Sequence, residues 1–238
     1  MKALMDLHTH TIVSGHAYST LKENIECAKE NGIKILGMSE HAVTMPGTAH
    51  PFYFNNLKVI KEEIMGVRIL KGIEANIIDY TGKIDVDEEL AERLDYIIAS
   101  LHNPCIEPGT RRQNTEAIIG VMDNPYVKII GHPDDSRYEL DYESLVLAAK
   151  KKNMVFEVNN TSLTPDGFRQ NARENYIELL NLCRIHGVKI IMGSDAHICY
   201  DVGNFKYCCK LLKEIDFPEE LVLNYRKDSL DYILNKRF

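Results

Sequence analysis

The residues able to do chemistry gather in a few short stretches, each at the end of an apolar run. "MDLHTHTIVSGHAYST" carries His8, His10 and His16. "SEH" brings His41, "GIEAN" Glu74, "SLHNP" His102, "GHPD" His132 and "GSDAH" Asp195 with His197. In an extended strand residues i and i+2 face one side. "HTH" therefore aims His8 and His10 at one point, and "DAH" does the same for Asp195 and His197. Such a pair can chelate a single ion. Imidazole nitrogens suit zinc and similar ions, and carboxylates complete or bridge such sites. Seven histidines with Glu74 and Asp195 exceed what one tetrahedral ion can use. With about three protein ligands per catalytic ion and an open position, the set fits two or three ions.

The remaining two of the nine histidines read differently. His186 falls in the last turn of a predicted helix, where a cation complements the dipole. His50 lies in the loop "AVTMPGTAHPFYFNN", which either covers the site or is ordinary surface. No GxSxG stretch and no convincing cysteine–histidine pair offers a protein nucleophile. Arg111 and Arg112, in the loop after the fourth strand, and Arg137, after the fifth, are candidates to grip a substrate anion. Asn159 and Asn160 end the sixth strand, the only one read as lacking a ligand. They are candidates to hydrogen-bond substrate or to support the metal site.

Apolar runs rich in Ile and Val must position these groups: "ALMDL", "IKILGMS", "RILKGIEA", "DYIIASL", "VKIIGH", "MVFEVN" and "VKIIMGSD". Between them lie segments with helical spacing. Thr20 and Glu23 fit a capping box, and Gly32 stops that helix. "NNLKVIKEEIMG" reads as a helix from an Asn cap to Gly66, and "NTEAIIGVMDNP" as one ending before Pro125. "DYESLVLAAKKKN" has acids first and lysines last, as the dipole favours. "ARENYIELLNLCRIHG" closes at Gly187. Near-continuous apolar strands alternating with helices predict a parallel α/β sheet covered on both faces. Seven such units predict a barrel, in one domain spanning residues 1–238. In such barrels the carboxyl ends of the strands converge on the functional face. Six of the seven predicted strands deliver a His, Asp or Glu there.

Composition narrows the rest. A net charge of −7 argues against broad nucleic-acid binding, which needs basic patches. No run approaches a membrane span and no signal segment is evident. The six cysteines form no CxxC pair and read as reduced, so a cytoplasmic location is expected. The segments "NFKYCCKLLKEI" and "DSLDYILNKRF" have apolar faces that fit either their own barrel or a partner copy, so a homo-oligomer is open.

The motifs "DLHTHT", "SEH", "GIEAN", "SLHNP", "GHPD" and "GSDAH", in this order, resemble those of the PHP (polymerase and histidinol phosphatase) superfamily. "YELDYE", "EVNNTS" and "FPEE" are similar to its small stand-alone YcdX-like phosphatase branch. The resemblance implies a distorted (β/α)7 TIM-like barrel with three divalent ions, usually zinc, with manganese or iron as other fits. It implies that His8, His10, Glu74 and Asp195 hold the first ion. His16, His41 and His197 would hold the second, and Glu74 as a bridge, with His102 and His132, the third. The implied activity is hydrolysis of a small phosphorylated substrate, a phosphomonoester, by a metal-bound hydroxide. His8, His10, Glu74 and Asp195 would then be catalytic through the metals. Rival readings are a histidinol-phosphate phosphatase, a nuclease of the same family, an amidohydrolase, and a metal-bearing module without catalysis.

Overall fold

A computed structural model describes residues 2–235. Its parallel strands are β1 (Met5–Asp6), β2 (Ile35–Met38), β4 (Val67–Asn76), β5 (Tyr96–Ser100), β6 (Val127–Ile130), β7 (Val155–Asn159) and β8 (Ile190–Gly193). They pair side by side in chain order, joined to one sheet with the short antiparallel β3 (Glu63–Ile64). The sheet curls into a nearly closed barrel, the expected (β/α)7 architecture. Beyond the ends of β1 and β8, Thr9 and Ala196 form a parallel bridge, and His10 N–H donates to the Ala196 carbonyl at 2.9 Å.

Lower down, β1 is too short to meet β8, and Asn224 fills the seam. Its side-chain oxygen accepts from Met192 N–H at 2.7 Å. Its amide donates to the carbonyls of Met192 (2.8 Å) and Met5 (3.0 Å). Buried backbone groups must be paired, so one amide side chain replaces the missing ladder.

The helices α1 (Leu21–Glu30), α5 (Tyr142–Lys152) and α6 (Ala172–His186) follow the sequence reading, and the Thr20–Glu23 capping box forms. Two expectations are corrected. Residues 55–66 are not one helix. A short α2 (Pro51–Asn55) and a 3-10 turn at Leu57–Val59 precede β3, which hairpins onto β4. Met65 and Gly66 both have positive φ (55° and 80°), the requirement of a type I′ hairpin turn. Gly66 thus turns a hairpin rather than stopping a helix. Helix α4 (Arg111–Val121) starts three residues before the expected Asn114, because Thr110 and Gln113 form a capping box. Arg111 and Arg112 therefore lie in its first turn, not in a loop. A short α3 (Glu88–Ala91) was not expected; α7 (Lys206–Glu214) falls within the apolar-faced segment 204–215. Of the segment 228–238, Asp228–Tyr232 is a 3-10 helix and residues 236–238 lie outside the described residues. Among the described residues no helix is long and apolar enough to cross a membrane.

The large core lies between the strands and their helices. A smaller one fills the lower barrel, where Met5, Leu7, Ile35, Leu70, Tyr96, Ile98, Ile129, Val155 and Ile191 meet. Leu223, Leu230 and Ile233 from the C-terminal region plug it. Tyr96 occupies the middle and donates to the Leu7 carbonyl at 2.6 Å. It fits because Gly72 faces it: a β-carbon there would lie 2.3 Å from the Tyr96 ring.

Candidate metal centre and cavity

Above the apolar plug, the same strands change chemistry. Glu74 lies four residues beyond Leu70 on β4, Glu157 two beyond Val155 on β7, and Asp195 four beyond Ile191 past β8. The structure brings His8, His10, His41, Glu74, His102, His132 and Asp195 together, with His16 and His197 at one side. Glu74 is central and fully buried. Its Oε1 lies 2.8 Å from His132 Nε2, 3.2 Å from His102 Nε2 and 3.4 Å from His8 Nε2. Its Oε2 lies 2.7 Å from His41 Nδ1 and 3.6 Å from His10 Nε2. Asp195 Oδ1 is 3.2 Å from His10 Nε2 and 3.5 Å from His8 Nε2.

Four overlapping groups have donor atoms close enough to share an ion: His10–His41–His197, His8–His132–Asp195, His8–His10–Glu74 and His41–Glu74–His102. Sharing of residues between groups is what neighbouring ions with bridging ligands require. His16 belongs to none of the four. Its ring, carried past the 3-10 turn Ile12–Ser14, stacks 4.7 Å from the His197 ring and 5.0 Å from that of His41.

The second nitrogen of most rings is tied back. His8 Nδ1 meets Glu157 Oε1 at 2.6 Å, His10 Nδ1 meets Ser14 Oγ at 3.1 Å, and His102 Nδ1 meets Asn76 Oδ1 at 2.7 Å. His197 Nδ1 lies 3.0 Å from the Asp195 carbonyl. Metal-ligating histidines are oriented in this way, with the free nitrogen aimed at the ion. Among the described residues the aimed atoms His8 Nε2, His10 Nε2, His41 Nδ1 and Glu74 Oε2 are buried without a well-directed hydrogen bond, although His41 Nδ1 and Glu74 Oε2 approach to 2.7 Å. Buried polar atoms are rarely left so, and a cluster of them facing one another fits divalent ions.

Protonation favours the same use. Burial disfavours charge on Glu74, yet His8, His102 and His41 hold its carboxyl well below the usual range. Burial likewise opposes ionisation of Asp195, and His8, His10, His197 and Arg169 overcome it. Burial, aided by neighbouring histidines, keeps His10 and His16 below the ordinary histidine value. Burial pulls His102 down to about 4 despite Glu74. Neutral imidazoles and ionised carboxylates are what ions bind. His8 runs the other way. Burial lowers its pKa, but Glu157, Glu74 and Asp195 outweigh that and raise it, so an ion there must displace a proton. The backbone is strained at two of these residues: His132 has φ 24° and Asp195 φ 54°, conformations that non-glycine residues adopt rarely and that cluster at functional sites.

The centre opens into a cavity of about 670 Å³, lined on one side by His16, His41, Glu74, His102, His132, Asp195 and His197. Of the predicted substrate-binding residues, Arg137 lines it, held by Asp135 (Nε to Oδ2, 2.8 Å). Arg111 and Arg112 do not. Arg111 Nε donates to the Leu140 carbonyl at 3.1 Å, and Arg112, its side chain 84% exposed, pairs with Glu116 at 2.7 Å. Asn159 supports Asp195, donating to Oδ2 at 3.1 Å. Asn160 faces away, its side-chain oxygen accepting from Tyr207 and Cys208 N–H in the first turn of α7. His50 caps α2, its Nδ1 accepting from Phe52 N–H at 3.2 Å.

Sequence reasoning missed Glu157 and Arg169. Glu157 anchors His8 and also accepts from His132 N–H at 3.0 Å. Gly193 makes room for it: a β-carbon there would lie 1.9 Å from Glu157 Oε1. An acid inside the apolar run "MVFEVN" was its only signal. Arg169 lines the cavity 3.6 Å from Asp195 Oδ2 and 3.9 Å from the buried Asp134, and donates to Ser162 Oγ at 2.8 Å. Its place in a loop left no periodic signal.

Residues 6–163 match the family model of the PHP domain. The chain belongs to the PHP domain family. The matched region of the PHP protein contains every candidate ligand except Asp195 and His197. Full-length relatives cover those as well. A probable phosphatase of Clostridium novyi is 47% identical over 237 residues, 99% of this chain and 96% of its own length. One of Acetivibrio thermocellus is 47% identical over 238 residues, covering 100% and 98%. The PHP fold is also that of the histidinol phosphate phosphatase of Lactococcus lactis, crystallised with zinc, L-histidinol and phosphate. The two share a TM-score of 0.62 at 18% identity, over 92% of this chain and 95% of that one.

Proposed function

We propose that this PHP protein is a metal-dependent phosphatase that hydrolyses a small phosphomonoester at a centre of three divalent ions, zinc foremost. It is a phosphoester hydrolase by membership of a family whose full-length relatives are probable phosphatases. The finer reading rests above all on the donor atoms of His8, His10, His41 and Glu74, buried without a well-directed hydrogen bond and facing one another beneath an open cavity. Zinc is favoured by the imidazole-rich donor set and by its presence in the Lactococcus lactis enzyme; manganese or iron would also fit such nitrogen and oxygen ligands. We assign His8, His10, Glu74 and Asp195 to one ion, His16, His41 and His197 to a second, and Glu74, His102 and His132 to a third. When bound, such ions neutralise phosphoryl charge and lower the pKa of water.

The chain's own residues do the rest. Glu157, Ser14 and Asn76 orient His8, His10 and His102 through their second nitrogens. Arg169 sits beside Asp195 at the cavity wall, where its guanidinium can hold a phosphoryl oxygen from the side away from the histidines. Arg137 supplies a second cation farther out. In this reading Arg137 keeps the anion-gripping role expected of it, and Arg169 takes the one expected of Arg111 and Arg112.

The deciding experiment measures metal per chain by elemental analysis and turnover of an aryl phosphate before and after chelation. Expected are two to three ions, activity lost on chelation, and activity restored by one added ion. One ion or none, with activity unaffected, overturns the reading. Parallel assays with a phosphodiester analogue, short single-stranded DNA and histidinol phosphate separate the monoesterase from its rivals.

A further inference from the structure

Behind His102 the hydrogen bonds run on to an acid that stands in none of the histidine motifs. Asn76 closes β4 two residues beyond Glu74, on the same side of the strand, and is fully buried. Its Oδ1 lies 2.7 Å from His102 Nδ1. Where an amide meets an imidazole, the proton is placed only once the amide's orientation is known. Asp85 decides that orientation. Asn76 Nδ2 donates to Asp85 Oδ2 at 2.7 Å, with the Ala42 carbonyl at 3.4 Å. A reversed amide would set its oxygen against a carboxylate and a carbonyl, two acceptors. The amide oxygen therefore faces His102. It can only accept, so His102 carries its proton on Nδ1 and turns a bare Nε2 toward Glu74 Oε1, 3.2 Å away.

Two segments hold Asp85 in place. The chain turns back after β4 in a small hairpin, in which Ile77 and Ile84 bridge antiparallel and Ile78 N–H donates to the Lys83 carbonyl at 2.8 Å. Asp85 thus stands opposite Asn76, whose backbone N–H donates to Asp85 Oδ1 at 2.8 Å. From the other side Thr44, in the loop after β2, donates to Asp85 Oδ2 through its N–H (2.9 Å) and its hydroxyl (2.6 Å). Four donors converge on one carboxylate. A staple between hairpin and loop needs the Thr44 bonds alone. The bond to Asn76 Nδ2 acts instead on the amide that faces His102.

We propose that Asp85 is a positioning residue: by fixing the Asn76 amide it sets the tautomer of His102, so that Nε2 is the nitrogen offered to an ion. The effect on ions rests on the reading of His102 as a metal ligand; the effect on the ring does not. NMR of the ring nitrogens tests it in the full chain, zinc-loaded and again after chelation. The parent keeps the His102 proton on Nδ1 in both states. Asp85→Asn preserves shape but offers one acceptor oxygen to four donors, which releases the Asn76 amide to turn. After chelation its His102 shows a mixture of tautomers. In competition with a chelator it holds one zinc ion about tenfold more weakly, the lower end of what lost support behind a ligand costs. Exchanging the pair, Asn76→Asp with Asp85→Asn, returns acceptor oxygens to His102 and restores both readouts, although the Thr44 bonds stay impaired. Thr44→Val, which loosens the loop alone, moves neither. A parent ring protonated on Nε2 after chelation overturns the inference. So does a His102 ring unchanged in Asp85→Asn, or an exchanged pair that melts like the parent without recovering the Nδ1 proton. Altered tautomers with zinc held as in the parent uphold the action of Asp85 on the ring and overturn His102 as a metal ligand.

Discussion

The lower and upper halves of the barrel interior are built by the same strands and do opposite things. Below, Leu70, Ile98, Val155 and Ile191 close on Tyr96 and on Leu223, Leu230 and Ile233. Above, within two to four residues along each strand, come Glu74, Ser100 and His102, Glu157, and Asp195. In the lower half the one polar group at the centre, the Tyr96 hydroxyl, is paired with the Leu7 carbonyl. The upper half leaves ring nitrogens and a carboxylate oxygen without a well-directed hydrogen bond and strains two backbones. The lesson is that stability and chemistry are stacked, not mixed. A parallel barrel can dedicate one layer to packing and the next to function, because its strand ends converge on one face.

Substitutions can break this division, beginning with the largest effect. Glu74→Ala removes the residue every ligand group touches or borders. Activity should fall by about a thousandfold or more, the equivalent of several kcal/mol of lost charge stabilisation, with metal content reduced by elemental analysis. Asp195→Ala and His102→Ala should behave alike, and full activity in Asp195→Ala would refute the metal assignment. In the other half, Ile98→Ala should destabilise by about 2–5 kcal/mol in urea unfolding while the folded fraction keeps its ions. Asn224→Ala strips partners from Met192 and Met5 at the seam. It should destabilise by about 1–3 kcal/mol for each backbone group left unpaired, again without metal loss. If instead it released metal first, the two layers would be coupled through β8.

Glu157→Gln lies between the layers and sharpens the comparison most. Competition with a chelator should show metal affinity down by about 10–100-fold, with thermal stability little changed. Smallest are Arg112→Ala and His186→Ala, each expected within about 0.5 kcal/mol of the parent and fully active. A loss of turnover in Arg112→Ala would return that residue to the substrate.

Much of this was legible in the chain. Seven apolar runs alternating with helices implied the barrel. Histidines and acids at the ends of those runs implied where they would meet, because a strand's end is readable from its apolar pattern and parallel strands put like ends together. The misreadings have physical causes. "NNLKVIKEEIMG" has helical spacing, yet Met65 and Gly66 take left-handed conformations and turn a hairpin. Thr110 starts α4 early and carries Arg111 and Arg112 onto a helix outside the cavity. Glu157 was hidden inside a run whose burial disguised it as packing.

By itself the sequence determined the alternation of strands and helices, the ligand-type residues and the face on which they gather, since each depends on local periodicity and on the direction of the strands. Only the tertiary structure decided which ring nitrogens are tied back and which are free. It alone placed Asn224 in the seam and Glu157 behind His8. It alone showed that Arg169 and Phe168, rather than Arg111 and Arg112, stand at the cavity. Those facts depend on side chains meeting across loops far apart in the chain, where no repeating spacing links one partner to the other.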